Sequence, residues 1–280
     1  MMKTGSKMSA EVLVEALPYI QEYAGKIIVV KYGGNAMINE DLKQAVIEDI
    51  VLLNLVGIKV VLVHGGGPEI SEMLKKTGKE SKFVKGLRYT DRETMDIVQM
   101  ILCGKVNKNL VSLFEKAGGH AVGLTQLVDP DGTEYGYVGD IKEVNEKVVL
   151  DVLNEGFIPV VSSVAAGMDE ETNYNINADT VAAAVAASVE AEKLILLTDV
   201  EGIKDKDGNV IAEIHKNEIY EMIHDGSISG GMIPKVLGCL ESIDGGVTGA
   251  HIIDGRIPHC LLLEIFTKTG IGTLIKSDKY

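Results

Sequence analysis

The sequence lacks tryptophan, and its 280 residues include only four phenylalanines and three cysteines. Cys103, Cys239 and Cys260 lie far apart with no CxxC spacing, which excludes a disulfide scaffold and suits buried thiols in a reducing cytoplasm. No apolar run approaches the roughly 18 residues of a membrane span. The opening MMKTGSKMSAEVLVEALPYI has no continuous apolar centre, so neither a membrane segment nor a secretory leader is expected. Cations are scarce as well: 27 Lys+Arg face 41 Asp+Glu, a formal charge of −14. Nucleic acid is therefore not an expected partner, because phosphate backbones are held by clustered Lys and Arg. Neither the G-x-x-x-x-G-K-[ST] loop nor the G-x-G-x-x-G loop is present, nor are the HRD, DFG, G-x-S-x-G and H-E-x-x-H motifs. The six histidines show no ligand spacing, so no protein-bound metal is expected.

What is present is an α/β pattern. Apolar residues make up 46% and charged residues 24%, near the average of globular chains. Continuous β-branched runs alternate with helical periodicity, the mark of a mainly parallel, open sheet sandwiched by helices. The runs predict strands over residues 26–31, 58–63, 121–127, 158–161, 194–197 and 250–253. Helices are expected over 41–57, 68–76, 93–117, 179–191, 216–225, 232–243 and 258–267. The stretch 129–149 opens on the turn signal Asp129-Pro130-Asp131-Gly132 and predicts one or two projecting hairpins. Residues 1–25 stand apart as a helical extension broken at Pro18. The strand-loop-helix pattern restarts at Leu194, which divides the rest into two lobes, 26–190 and 191–280.

Two successive strands end in glycine clusters, Lys31-Tyr32-Gly33-Gly34-Asn35 and His64-Gly65-Gly66-Gly67-Pro68. Glycine lets the backbone approach a ligand, and successive N–H groups at a helix N-terminus attract anions. Either cluster alone could be a tight turn. The pair, one following Lys31, favours a phosphate or carboxylate site at the carboxyl edge of the sheet. Asn175, Asn177 and Asp179 open an Ala-rich helix, and three such side chains exceed what one cap requires. Thr198-Asp199 ends a buried strand in a turn, equally a plain bend or a ligand contact. Lys235 falls in the first turn of a helix, where a cation opposes the dipole, and that cost favours a catalytic or anion-binding role. Arg88 suits either bidentate carboxylate recognition or a structural ion pair.

Taken in order, K-Y-G-G-N-A, V-H-G-G-G-P, G-L-R-Y-T-D, Y-N-I-N-A-D, L-T-D-V-E-G and G-G-M-I-P-K resemble the amino acid kinase family, and within it the acetylglutamate kinase branch. The resemblance runs from about residue 17 to 275. It implies an N-lobe that binds the amino acid and dimerises, and a C-lobe that binds ATP. It also implies transfer of the γ-phosphoryl group of ATP, carried with Mg²⁺, to the side-chain carboxylate of N-acetyl-L-glutamate in arginine biosynthesis. By position, Lys31 and Lys235 would contact the phosphoryl group in flight, with Asp179 holding both. Gly33, Gly34 and Gly66 would face that group through their amides. Gly66, Gly67, Arg88, Asn175 and Asn177 would contact acetylglutamate, with Arg88 on the α-carboxylate, while Thr198 and Asp199 lie where the family binds nucleotide.

The segments H-I-I-D-G-R, L-E-I-F-T and G-I-G-T resemble the arginine-sensitive members, which are hexameric trimers of dimers assembled through N-terminal helices. There His251, Glu264 and Gly270 would form an allosteric arginine pocket. A PII-type regulator is a further partner that the resemblance leaves open. Two other readings also remain: a related kinase acting on carbamate, glutamate, aspartate or uridylate, and a non-catalytic arginine sensor.

Overall fold

The computed structural model describes residues 4–84, 86–125, 128–133, 135–167 and 172–277. Helix α1 (Thr4–Tyr23) leads into β1 (Ile27–Tyr32), a 3-10 turn (Gly34–Met37) and α2 (Glu40–Leu55). Asn39 caps α2, its Oδ1 accepting hydrogen bonds from the N–H groups of Asp41 and Leu42 at 2.9 and 3.1 Å. Then come β2 (Lys59–His64), α3 (Gly67–Lys76), and a small hairpin of β3 (Phe83–Val84) and β4 (Leu87–Arg88). Next are α4 (Arg92–Gln99), a π-helical turn (Met100–Val106), α5 (Asn107–Lys116) and β5 (Ala121–Leu124). The hairpin β6 (Val128–Thr133) and β7 (Gly136–Val144) is followed by α6 (Glu146–Asn154), β8 (Ile158–Ser162), β9 (Val164–Ala166) and β10 (Asn173–Asn175). The remainder is α7 (Ala178–Ser188), β11 (Lys193–Thr198), β12 (Glu213–His215), α8 (Lys216–His224), α9 (Met232–Asp244), β13 (Gly249–Asp254), α10 (Cys260–Ile265) and β14 (Thr273–Lys276).

One sheet carries eight strands in the order β12-β14-β13-β11-β1-β2-β8-β5. All neighbours are parallel except β13 and β14. Successive side chains of a strand face opposite sides, and β1 shows what that does here. Ile28 and Val30 join a core with Val46 of α2, Leu110 of α5 and Leu261 of α10. Val29 joins a second core with Val149 of α6, Val181 of α7, Ile219 of α8 and Val236 of α9. Both faces are thus covered, which is why β1 and β2 read as unbroken apolar runs. A separate sheet of order β6-β7-β10-β9 forms the projecting hairpin region. Because the central strands are parallel, the loops after β1, β2, β8, β11 and β13 all open on one edge, where ligands of such sheets bind.

Several expectations need correction. Helix α1 runs unbroken through Pro18, which is exposed, so water can serve the carbonyl that proline leaves without a donor. The expected helix 93–117 is interrupted by the π-helical turn. The Asp129–Gly132 run is not a turn: it lies inside β6, whose pairing with β7 shifts register at Asp129/Pro130 and again at Gly132/Thr133. The last helix begins at Cys260, because His259 takes a left-handed conformation (φ 57°). Of the strand expected over 121–127, residues 126–127 lie outside the described residues. No helix of the described residues is long and apolar enough to cross a membrane.

Candidate active site

The loops after β1 and β2 meet. A Cβ on Gly33 would come within 3.3 Å of Lys31 Nζ and 3.8 Å of the Gly65 nitrogen. Gly34 sits at φ +67°, a conformation glycine adopts without strain. Across from them, α7 starts at a cap: Asn177 Oδ1 accepts the Asp179 N–H at 2.7 Å. That fixes Asp179 in the first turn, where the positive helix end favours a carboxylate.

Two lysines converge on that carboxylate. Lys31 Nζ stands 2.9 Å from Oδ1, and Lys235 Nζ donates to Oδ2 at 2.9 Å. Burial opposes ionisation of Asp179, but the two ammonium groups outweigh it and hold the carboxyl below its ordinary range. Oδ1 is buried and accepts no hydrogen bond from the described residues. Lys31 is held there by charge, as one member of a close ion pair. Two cations share one anion, which leaves the cluster net positive.

A cavity of about 240 Å³ is lined by Lys31, Gly33, Gly34, Gly66, Gly67, Arg88, Asn175, Asn177 and Asp179. The structure therefore brings together all of these expected site residues; Lys235 reaches the group through Asp179. Arg88 is 7% exposed. Its Nη1 donates to Ser81 Oγ at 2.6 Å, and its Nη2 to Ser71 Oγ at 2.9 Å and to the Gly67 carbonyl at 3.1 Å. The Phe83 ring lies 4.8 Å from the guanidinium carbon. No carboxylate pairs with Arg88 among the described residues, so of its two readings the structural ion pair is not formed. Asn175 Nδ2 donates to Thr90 Oγ1 at 3.3 Å.

A second cavity, of about 580 Å³, opens beyond α9 and is lined by Asp199, Gly202, Lys204, Ser229, Met232 and Arg256 among others. Asp199 thus faces a cavity, whereas the Thr198 hydroxyl closes its own turn, donating to the Val200 and Ile253 carbonyls at 3.0 and 3.2 Å. Helix α9 spans the two cavities, with Met232 on one and Lys235 directed to the other.

His251, Glu264 and Gly270 also come together, away from both cavities. His251 Nδ1 lies 2.6 Å from Glu264 Oε1, and the Ile271 N–H donates to Oε2 at 2.7 Å. Lys193 Nζ donates to His251 Nε2 at 3.0 Å and lies 5.2 Å from the Tyr23 ring centre at the end of α1. A Cβ on Gly270, at φ +59°, would reach within 2.6 Å of Glu264 Oε2. Burial lowers the His251 pKa, and the histidine contact keeps Glu264 low despite its own burial. The Lys193 ammonium can only donate, so His251 Nε2 accepts from it and the ring hydrogen on Nδ1 faces the Glu264 carboxylate.

Sequence reading passed over four participants. Ser71 and Ser81 hold Arg88, yet lone serines carry no signal. Arg256 pairs with Asp254 through Nε and Nη2 at 2.8 and 2.7 Å, a partnership the i, i+2 spacing could have suggested. Asn107, whose amide nitrogen lies 3.0 Å from His64 Nε2 at the end of β2, sits within a long helical period and carries no signal of its own.

Residues 26–254 match the model of the amino acid kinase family. Acetylglutamate kinase of Clostridium kluyveri is 53% identical over 277 residues, covering 95% of this chain and 98% of that protein. Acetylglutamate kinase of Caldicellulosiruptor saccharolyticus is 51% identical over 281 residues, with 95% and 96% covered. Among solved structures, N-acetylglutamate synthase from Neisseria gonorrhoeae, complexed with coenzyme A and N-acetyl-glutamate, superposes with a TM-score of 0.87 at 25% identity, over 97% of this chain and 64% of that longer one. Giardia carbamate kinase shares the fold, at a TM-score of 0.70 and 18% identity, over 91% and 100%. On the family match and on relatives that align nearly end to end, the chain belongs to the amino acid kinase family.

Proposed function

We propose that this protein transfers the γ-phosphoryl group of ATP to the side-chain carboxylate of N-acetyl-L-glutamate, a step of arginine biosynthesis. Arg88 carries the reading: a buried guanidinium with no carboxylate partner among the described residues, beside the glycine loops and Lys31, is built to receive an anion. The acetylglutamate kinases that align over 95% of the chain name that anion. In this reading Arg88 takes the α-carboxylate, Asn175, Asn177, Gly66 and Gly67 complete the acceptor site, and Asp199 faces the nucleotide. Residues 26–190 would then form the acceptor lobe and 191–280 the ATP lobe.

The attacking carboxylate is already ionised at neutral pH, so the site needs no general base. Its task is to bring two anions together and to neutralise charge on the transferring group. Lys31, Lys235 and the amides of Gly33, Gly34 and Gly66 supply that charge, and Asp179 keeps the two lysines in place. Mg²⁺ accompanying ATP would add Lewis-acid neutralisation of the phosphates.

Arginine feedback is part of the proposal. The Glu264–His251–Lys193 cluster touches Tyr23, so a guanidinium bound to Glu264 would be felt at the end of α1. Val12, Leu13, Val14 and Leu17 of α1 are exposed, as a helix that assembles dimers into a hexamer requires. A coupled assay of acetylglutamate-dependent ATP consumption, with and without arginine, tests both parts. Turnover with carbamate, glutamate or aspartate but not with acetylglutamate would overturn the acceptor.

A further inference from the structure

Strand β2 ends on His64, which has no exposed surface. Its Nδ1 lies 2.8 Å from the Gly65 carbonyl oxygen, and its Nε2 lies 3.0 Å from Asn107 Nδ2. The same Nδ2 donates to the Val160 carbonyl at 2.8 Å, while Asn107 Oδ1 accepts from Lys108 Nζ at 3.1 Å. These contacts admit one arrangement of protons. The Val160 carbonyl can only accept, so the amide nitrogen must face it. The second hydrogen of that nitrogen then meets Nε2, which must accept. The ring hydrogen is left on Nδ1 and donates to the Gly65 oxygen. A proton on Nε2 would oppose two donors, and turning the amide over would oppose two acceptors at Val160 and leave Lys108 against an NH₂ group.

The Gly65 oxygen and the Gly66 N–H belong to one planar peptide and point in opposite directions. Holding the oxygen therefore aims the N–H. The rest of the loop is also committed: the Gly65 N–H donates to the Tyr32 carbonyl at 3.0 Å, and the Gly66 carbonyl accepts from Ile70 at 3.0 Å. Beneath Gly66 the π-helical turn leaves no slack, since a Cβ there would lie 2.6 Å from Leu102 Cδ2 and 3.3 Å from Val106 Cγ2. The same turn delivers Asn107 as the first residue of α5. An interrupted helix of this kind is a recurrent device at functional sites.

We infer that His64 and Asn107 are positioning residues for phosphoryl transfer: Asn107 locks His64 as the Nδ1–H tautomer, and His64 in turn aims the Gly66 N–H at the transferring group. The inference rests on the kinase reading above. Burial and the nearby Lys108 push the His64 pKa down to about 4, so the ring stays neutral at working pH.

Two measurements test it on the full-length chain. Nitrogen-15 shifts of the His64 ring should show a protonated Nδ1 and a bare Nε2, and the reverse tautomer would overturn the inference. Kinetics of Asn107→Leu and Asn107→Asp, checked for unchanged ATP affinity as evidence of folding, give the second test. Asn107→Leu should lower kcat about 10- to 100-fold, the scale of a misaimed oxyanion donor, with the KM for ATP preserved. In Asn107→Asp the carboxylate favours the imidazolium, which donates from both nitrogens. That variant should lose kcat as the pH rises from about 6 to about 9 and recover on acidification, a limb absent from the parent chain. Parent-like kcat in the leucine variant, or a parent-like pH profile in the aspartate variant, would overturn the inference. Absence of acetylglutamate-dependent turnover in the parent chain would remove the kinase reading and this inference with it, whereas normal parent turnover with unresponsive variants would remove the inference alone.

Discussion

Asp49 and His259 lie 210 positions apart, yet the His259 Nδ1 is 2.7 Å from the Asp49 Oδ1. The Leu261 N–H donates to the other oxygen at 3.2 Å, so a fully buried carboxylate on α2 ties down the start of α10. Burial pushes the Asp49 carboxyl up to about 6, against the lowering effect of His259 and of the Leu261 and Leu262 backbone amides. Unfolded, the group titrates near 3.9. The native state therefore holds this proton more tightly, and stability from Asp49 is greatest below the unfolded value and is lost as pH rises through about 6. Urea unfolding of the parent chain and Asp49→Asn at about pH 5 and about pH 7.5 should show the parent gaining on the variant at the acid end, by about 1 kcal/mol. Parallel pH dependences would dismiss the titration.

Lys31→Ala and Lys235→Ala should each lower kcat by about 10²-fold or more while KM changes less, as expected for charge stabilisation made in the transition state. Asp179→Asn should also reduce kcat, because the two ammonium groups lose the anion that holds them 2.9 Å from its oxygens. Steady-state kinetics with both substrates varied checks all three. A near-normal kcat in either lysine variant would reassign that lysine.

Arg88→Lys should raise the KM for acetylglutamate strongly and leave that for ATP nearly unchanged. A lysine keeps the charge but cannot reach Ser71, Ser81 and a bound carboxylate with one planar fork. Equal impairment toward both substrates would point to a fold defect.

Deleting residues 1–24 should yield active dimers with much weaker arginine inhibition, and Glu264→Gln should desensitise the enzyme while leaving the assembly intact. Coupling on the order of 1–3 kcal/mol is the expected scale. Light scattering joined to arginine titrations reads both. A full-length dimer, or a truncated enzyme inhibited as before, would end the proposal.

The sequence announces the central strands because burial on both faces keeps apolar runs in β1, β2, β8 and β11, with polar residues only toward their ends. It hides β12 and β14, three and four residues long, whose alternating burial in EIH and TLIK mimics a loop. Helix α6 was masked by turn signals that lie inside β6 instead. The π-helical turn left no trace, since an extra residue is absorbed by the i, i+3 and i+4 alternation of buried Val98, Ile101, Leu102, Val106 and Leu110. Lys31, Asp179 and Lys235 each stood out through local cost or spacing. Their convergence did not, because only the crossovers of the sheet bring residues so distant in sequence to one point. Thr198 shows the opposite case: a conspicuous position whose hydroxyl is consumed by its own turn.

The pairing of β1 with β11 has a mechanical outcome. Residues 27–32 and 193–198 lie on either side of the expected lobe boundary, yet they are rungs of a single ladder, with Ile28 opposite Lys193 and Lys31 opposite Leu196. Separating two rigid bodies at a hinge would break those rungs. The shared ladder instead makes β1 and β11 one continuous spine, which ties Lys31 on one side of that boundary to the strand that leads into Asp199 on the other.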